Sequence, residues 1–574
     1  MTTTDTDNDT DGDDDAGPRR GNAVLRWIRR FVRRAASIET FFALFALLAI
    51  AGLWSFPWAI VVAALAVTGG ALVLLRIDEP DGPWTGRFLA ARLVLASGAL
   101  VHFASMADVV PTLGALLTGV AVIAGSLLRR SVVRLESPVA AHLDGVSGFR
   151  SLARAGKAVH VTISVAIVGL VAASAFALPW LGAVAGIVSV GVVGLLGFSS
   201  VGQNRRRRHA RDSALSTLAS LEPVFYLHWD APSEGHYQVT MWVPYLARLG
   251  VPFAVIVRTP RQLKTLTPLL DVPIVLCTTA NDIDRTVVPS LRTVFYVNTA
   301  LRNAHYLRFN ELHAVQLNHG DSDKPASATR QFRAFDVNFV AGQAAVDRFA
   351  HYGIAMPREL LRVVGRPQVE PIRSAGPIGD VPTVLYAPTW GGYFADSDLS
   401  SLPIGMLVID ALLARGCRVV FRPHAFTDRH EHHAEMADRI RERLREDASA
   451  TGREHVFGAA AETEMTIFDC FNGSDAMISD VSSIVTDYLF SEKPLAMVAV
   501  NTPAARFRES YPVAAAAYVI DAESPDVTTV LDQMLGDDPL RPVRASSRAY
   551  YLGDFPREGY VDNFLRAARA QLQG

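Results

Sequence analysis

The sequence predicts two regions of different class: an α-helical transmembrane region, followed by an α/β region made of a pair of doubly wound Rossmann-type domains. Three observations predict this. Between about residues 36 and 202, apolar stretches near the ~20 residues that a bilayer requires recur six times. After Arg211, short β-branched or aromatic runs alternate with amphipathic segments, the signature of βαβ units. The composition, 50% hydrophobic with a mean hydropathy of +0.21 over 574 residues, is richer in apolar side chains than soluble proteins usually are.

Residues 1 to 17 carry seven aspartates among Thr, Asn and Gly with nothing apolar to bury after Met1, so a disordered acidic tail is expected, running to residue 35 through a basic helix. In that helix, Arg19 to Arg34, seven arginines interleave with Val24, Leu25, Ile28, Phe31 and Val32 at helical spacing, the pattern of a helix lying on an anionic membrane surface. The stretches that follow, roughly 36–56, 58–75, 88–106, 109–128, 157–177 and 181–200, are too long and too many for a secretory signal. Trp54, Pro57-Trp58 and Pro179-Trp180 place aromatic rings at turns, where a bilayer interface favours them. Basic blocks at Arg19–Arg34, Arg76–Arg92, Arg129–Lys157 and Arg205–Arg211 fall at alternate ends, which by the positive-inside rule puts both termini in the cytosol of a multi-pass protein of the cell membrane. The near absence of ionisable residues within the stretches favours an anchor over a transporter. The run Arg205–Arg208 directly follows a membrane helix and reads as a topological charge block against anionic lipid, so no nucleic-acid partner is expected. Cys277, Cys417 and Cys470 are too far apart for a zinc cage or a disulfide framework and read as buried thiols.

In the second region the candidate strands are 224–228, 253–258, 273–277, 293–297, 314–317, 337–341 and 361–364, then 383–387, 418–421, 455–457, 476–479, 495–498 and 517–520. A Gly- and Pro-rich stretch from Gly365 to Pro382 separates the series as a hinge linker, giving domains at roughly 213–370 and 381–545 across a cleft. Residues 546–574, with a helical stretch Asp562 to Leu572, are expected to pack back on the first domain. There is no G-x-G-x-x-G after a strand and no G-x-x-x-x-G-K-[ST], which argues against a dinucleotide dehydrogenase and a P-loop ATPase.

Three segments at the ends of apolar strands carry the chemistry. His319, with Gly320 after it, ends the run 314–317, and an imidazole with an ordinary pKa of ~6.5 is suited to take a proton from a hydroxyl. Lys324 follows five residues on, in a chain with only four lysines against 51 arginines. Arg422-Pro423-His424 ends strand 418–421, where a guanidinium and an imidazole can bind a diphosphate together. Ser479-Asp480-Val481-Ser482-Ser483 leads into a helix running through Ile484, Val485, Tyr488 and Leu489, and serine hydroxyls there point at any anion placed at the helix start. Asp487, one turn in, can accept ribose hydroxyls; Asp480 or Ser482 can alternatively serve as a simple N-cap. His430, His432 and His433 lie in an Arg/Glu-rich helical segment and are read as solvated, so no metal ligand is assigned.

These residues, together with Tyr386-Ala387-Pro388-Thr389-Trp390 and Lys493-Pro494, resemble the CDP-glycerol glycerophosphotransferases of teichoic-acid synthesis over roughly residues 310 to 500. The resemblance implies a GT-B-like fold and a reaction in which an acceptor hydroxyl attacks the β-phosphate of a CDP-glycerol-like donor and CMP leaves. It implies His319 as general base, His424, Arg422, Ser482 and Ser483 on the diphosphate, and Asp487 on the ribose. Gly320, Lys324, Pro388, Thr389, Trp390 and Asp480 complete the expected donor site. Three positions depart from the family's pattern: Asp321 for a small Thr, Gly391 for an Arg, and Asn318 for a Trp-like residue. The first two are expected to make the site less positive.

The expected function is therefore membrane-anchored transfer of glycerol phosphate, or a related polyol phosphate, to a lipid-linked or polymeric cell-envelope acceptor. No cofactor is assigned beyond the donor, and the help of a divalent metal is left open. Two other readings are a GT-B glycosyltransferase using a nucleotide sugar and a non-enzymatic membrane protein that senses a nucleotide.

Overall fold

A computed structural model describes residues 89–136, 138–144, 152–324, 327–392 and 398–573, with three positions, 43, 46 and 47, ahead of them. The acidic tail, the basic helix and the apolar stretches 36–56 and 58–75 lie almost wholly outside the described residues. The chain divides into two compact units, residues 1–138 with 147–210 and residues 139–146 with 211–574.

In the first unit the described residues form α1 (Leu89–Ser105), α2 (Val109–Glu136), α3 (Ala153–Ala175) and the start of α4 (Pro179–Ser220). Val109–Leu128, Ala158–Ala175 and α4 are each long and apolar enough to cross a membrane; α1, with 17 residues, is shorter. Helices α2 and α4 approach closely because both carry glycine there: a Cβ on Gly186 would stand 2.7 Å from the Gly114 Cα. Small residues at such a crossing let helix backbones touch where apolar burial alone gives no drive to associate. The outward faces carry Val101, Leu113, Val120, Leu127, Ile187, Leu195 and Phe198, all exposed. Arg92, expected at the charged end of a span, is instead buried and hydrogen-bonded to the buried His160 ring (Nη1 to Nδ1, 3.0 Å), so these helices do hold ionisable groups inside.

The second unit holds two sheets. The first contains β1 (Ala140–Ala141), β2 (Phe225–Trp229), β3 (Phe253–Val257), β4 (Ile274–Leu276), β5 (Thr293–Tyr296), β6 (His313–Gln316), β7 (Val337–Val340) and β8 (Leu361–Val363), in the order β1-β4-β3-β2-β5-β6-β7-β8. All pair in parallel except β1, which is antiparallel to β4. The second contains β9 (Thr383–Ala387), β10 (Arg418–Phe421), β11 (Ala476–Ser479), β12 (Leu495–Ala499) and β13 (Tyr518–Asp521), all parallel, in the order β10-β9-β11-β12-β13. Helices on both faces bury β2, β11 and β12 completely, which is why these strands read as continuous apolar runs.

Two elements differ from expectation. Residues 455–457 make only an isolated bridge, Val420 to Val456, because the Val419 N–H is taken by the His455 ring (Nδ1, 3.0 Å) rather than by a backbone carbonyl. Strand β1 is not anticipated: it lies in a basic stretch between apolar spans, and a two-residue edge strand has no periodicity to read.

One apolar cluster runs through both sheets' surroundings, joining Leu227, Phe339, Leu385, Val485 and Phe564. The final helix, Tyr560–Gln571, covers the first sheet: the Phe564 ring sits 5.2 Å from Trp242 and 6.1 Å from Phe339, and the Gln571 carbonyl accepts from Thr293 Oγ1 at 2.6 Å. Tyr560 Oη in turn accepts the Arg366 N–H (2.9 Å).

Candidate active site

The C-terminal edges of β9, β10 and β11 lie side by side, with Tyr386 in register with Phe421 and Ala387 with Ser479. The chain starts at β9 and sends later strands to either side of it, so a switch point opens there, the place where open parallel sheets bind ligands. Pro388-Thr389-Trp390, Arg422-Pro423-His424 and Asp480 to Ser483 leave from that edge. Across from it, the first sheet supplies His319 and Gly320 after β6. The two sets meet: a Cβ built on Gly320 would lie 3.4 Å from both Cβ and Oγ of Ser483.

His319 is fixed from three directions. Asn318 adopts a left-handed backbone (φ 59°) and its carbonyl accepts from Trp242 Nε1 at 2.6 Å. The Asn318 Oδ1 accepts the His319 N–H at 2.9 Å, and the Tyr237 ring stands edge-on to the imidazole. The His319 Nδ1 lies 2.7 Å from the Val297 carbonyl, which only accepts, so Nδ1 carries the proton and Nε2 keeps its lone pair. Burial, reinforced by Arg366 and opposed by the Val297 hydrogen bond, holds the ring below the usual histidine pKa. A neutral imidazole with a bare Nε2 is set up as a proton acceptor.

His424 is wired in the opposite sense. Its Nδ1 accepts the Phe426 N–H at 3.1 Å, so in the neutral ring the proton sits on Nε2. Burial, then the Lys324 and Arg429 charges, push its pKa down to about 4, so the ring is neutral at physiological pH. The Trp390 indole stacks on it, with centroids 6.1 Å apart and planes at 23°. His424 therefore offers an N–H donor, suited to an anionic oxygen.

The remaining predicted residues divide. Lys324 lies within electrostatic reach of His424 and Asp480; burial lowers its pKa and Asp480 raises it. Ser482 is the N-cap of helix Ser483–Tyr488 yet makes no side-chain capping bond. That α-helix has six residues and runs on through Leu489 as a 3-10 turn, Leu489–Ser491, so its end charge is weak and the serine hydroxyls matter more. Asp480, fully buried, holds Thr389 N–H with both oxygens (3.0 and 2.9 Å) and Ser401 through N–H and Oγ (2.9 and 3.0 Å). It positions the Thr389-Trp390 loop, with burial raising its pKa to about 6 against those hydrogen bonds. Thr389 is likewise buried, and its carbonyl accepts from Ser400 Oγ at 2.7 Å.

Two residues expected on the donor also have protein partners. Arg422 gives its Nη1 to the carbonyls of Ala461 and Met465 (2.8 Å for the latter), pinning the turn 460–465. Asp487 gives both oxygens to Arg366, Nε to Oδ1 and Nη2 to Oδ2 at 3.0 Å, with both side chains 7% exposed. Two of that carboxylate's acceptor positions are therefore already taken by a buried guanidinium. Arg366 sits in the Gly-Arg-Pro start of the linker, where sequence reading sees a hinge; a long cation between Gly and Pro was the available signal.

The family departures also find causes. The Asp321 carboxylate pairs with buried Arg348, which also reaches Asp323 (3.2 Å), so two carboxylates share one guanidinium beneath the site. Asp323 binds across the junction, accepting from Val513 N–H and Tyr551 Oη, each at 2.9 Å. Gly391 is closely packed: a Cβ would stand 2.9 Å from the His433 ring and 3.1 Å from Asp398 Oδ2, so those side chains would have to shift to admit one. His430 contacts the Gly392 carbonyl (2.8 Å) and His433 lies 3.4 Å from Asp398; among the described residues no group of three or more His, Cys, Asp or Glu is arranged to hold a metal.

No curated protein matches the chain by sequence. Among solved structures, the wall teichoic acid polymerase TagF is similar over 64% of this chain and 94% of its own, with a TM-score of 0.40 and 11% identity. A UDP-N-acetylglucosamine 2-epimerase (60% and 95%, TM-score 0.39, 12% identity) and the S. aureus MnaA–UDP co-structure (61% and 96%, TM-score 0.40, 12% identity) are similar to the same degree. Residues 368–504 match the sequence family described as CDP-Glycerol:Poly(glycerophosphate) glycerophosphotransferase, a span that holds Trp390, His424, Ser482 and Ser483 and stops short of His319 and Lys324. The likeness to that glycerophosphotransferase family thus lies within the second sheet's part of the chain, residues 368–504.

Proposed function

We propose that this protein is a membrane-anchored GT-B transferase that moves glycerol phosphate, or a related polyol phosphate, from a CDP-linked donor to a hydroxyl of a membrane-bound cell-envelope acceptor. The observation that carries the reading is the pairing of opposite imidazole tautomers at a junction where Gly320 and Ser483 nearly touch. The acceptor hydroxyl gives its proton to His319 Nε2 as its oxygen attacks the donor's β-phosphorus. The bond from that phosphorus to the bridging oxygen breaks, and CMP leaves with the electron pair. His424 Nε2–H, the Ser482 and Ser483 hydroxyls and the Lys324 ammonium stabilise the charge that builds on the phosphate oxygens. Trp390 keeps the His424 ring in plane for this, and Asp480 keeps Trp390 in place.

The apolar helices serve as the anchor, with both termini and the catalytic unit cytosolic and Arg205–Arg208 facing anionic lipid. Holding the enzyme in the plane of a lipid-linked acceptor removes one dimension from the search for it. The test is to incubate the purified protein with CDP-, UDP- and GDP-linked donors and identify the nucleotide released. CMP release that depends on an acceptor supports the proposal; release of a nucleoside diphosphate from a sugar donor overturns it.

A further inference from the structure

The first sheet carries a second polar cluster that the transfer step does not use. It lies at the C-terminal ends of β2 and β3. Arg258, which follows β3, is 1% exposed, and only one of its guanidinium nitrogens has a protein partner: Nη2 donates to His305 Nδ1 at 2.8 Å. Nε and Nη1 are buried without a hydrogen-bond acceptor. A buried donor left unmet is costly, the more so on a charged group. His305, having accepted at Nδ1, carries its own proton on Nε2. Beside them His228, also 1% exposed, donates from Nδ1 to Asn303 Oδ1 (3.1 Å) and leaves Nε2 unpartnered. Asp230 acts on Arg258 but also lies 3.5 Å from Arg302 Nε, so one carboxylate serves two guanidinium groups.

The cluster therefore holds an unmatched positive charge, at least three spare N–H donors and one spare acceptor. That is the complement of a phosphate ester bearing a hydroxyl. It is also joined to the active site: His228 bonds Asn303, Asn303 Nδ2 bonds the Asn298 carbonyl (2.7 Å), and Gln316 Nε2 bonds the same carbonyl (2.8 Å) while its Oε1 takes the Asn318 N–H (3.0 Å). Three strand spacings, roughly 14 Å, separate β3 from β6 and His319.

We propose that Arg258, Arg302, His305 and His228 form an acceptor subsite that binds a phosphate group of the acceptor upstream of the hydroxyl presented to His319. The proposal rests on the transferase reading above. The phosphate arrives over the turn Leu301–Leu307, which carries Arg302 and His305. Its source is either a phosphodiester of a growing polyol-phosphate chain or the diphosphate of a lipid-linked primer, and the chemistry of recognition is the same.

The test measures binding to the full-length protein without donor, using a short glycerol-phosphate oligomer in one arm and vesicles carrying a polyprenyl diphosphate in the other. Arg302→Ala, at an exposed position, and Arg258→Met should each weaken binding roughly tenfold or more in the arm that contains the true source. Arg258→Lys should recover part of it, and CDP binding should not change. If Arg258→Met does not fold, Arg302→Ala decides alone. Unchanged affinity in both arms for a folded Arg302→Ala overturns the subsite even where CMP release proceeds normally. Conversely, Arg-dependent oligomer binding by a protein that releases no CMP upholds the subsite and sinks only the transferase reading.

Discussion

Asp487 is the residue whose sequence-based role and structural role part most clearly, and one double-mutant cycle decides between them. Its carboxylate and the Arg366 guanidinium form a two-pronged ion pair with each side chain 7% exposed, reaching from the linker into helix Ser483–Tyr488. Removing one partner of such a pair leaves the other charge buried, at a cost of about 3–5 kcal/mol. Asp321 also acts on Arg366, which softens the loss for Asp487→Asn toward about 3 kcal/mol. Replacing both partners with apolar residues of similar volume, Arg366→Met with Asp487→Leu, removes the stranded charge as well, and such swaps are often neutral. The double variant should thus recover about 2 kcal/mol or more over either single change. The assay is the urea midpoint followed by tryptophan fluorescence in detergent, with CDP binding measured on the same samples. Loss of CDP binding in Asp487→Asn at an unchanged midpoint would refute the clamp and return Asp487 to the ribose.

His319→Ala should lower CMP release by about 10²–10⁴ while CDP affinity holds, as expected for a general base. Because burial depresses the His319 pKa, protonation disables it only below the ordinary ~6.5, so the acidic limb of the rate profile should lie under that value. His424→Gln should cost about 10²–10³ in rate, the scale of a lost phosphate-stabilising donor. The same ring makes stability pH-dependent: unfolded it protonates near 6.5, folded at about 4, so its contribution is complete above 6.5 and is lost as pH falls through that window. The urea midpoint should therefore drop from pH 7.5 to pH 5 in the parent and drop less in His424→Gln. Gly391→Arg should destabilise the protein and slow CMP release, since its Cβ alone presses on His433 at 2.9 Å; parent-like melting and turnover would contradict the packing.

How much of this was legible in the sequence follows from how local each signal is. Strands such as 383–387, 418–421 and 476–479 appear where periodicity and apolar runs place them, because burial on both faces writes itself into consecutive residues. His319, Ser483 and the loop after β9 could be suspected together because each sits at a strand end, and strand ends are where parallel sheets gather residues. What could not be read was which side chains also bond to distant parts of the protein. Arg422 and Asp487 have the right chemistry and strand-end or helix-start positions, but their partners, the Ala461 and Met465 carbonyls and Arg366, lie 39 to 121 residues away along the chain. The same holds for Asp321, whose partner Arg348 lies 27 residues on. Arg258 and His228 were missed for a related reason: each ends an ordinary-looking strand, and an unmet donor is visible only once its neighbours are in place.

The helix Tyr560–Gln571 has a consequence for how the chain comes to be made. Its Phe564 closes over Trp242 and Phe339, yet 225 residues separate Phe339 from Phe564, the difference between their positions. At about 5–20 residues per second the ribosome takes roughly 11–45 s to cover that distance. For that interval the first sheet waits with an apolar face uncovered, and a nascent chain in that state is exposed to chaperones or aggregation. Shortening the protein at residue 559 should therefore yield inclusion material rather than a smaller working enzyme.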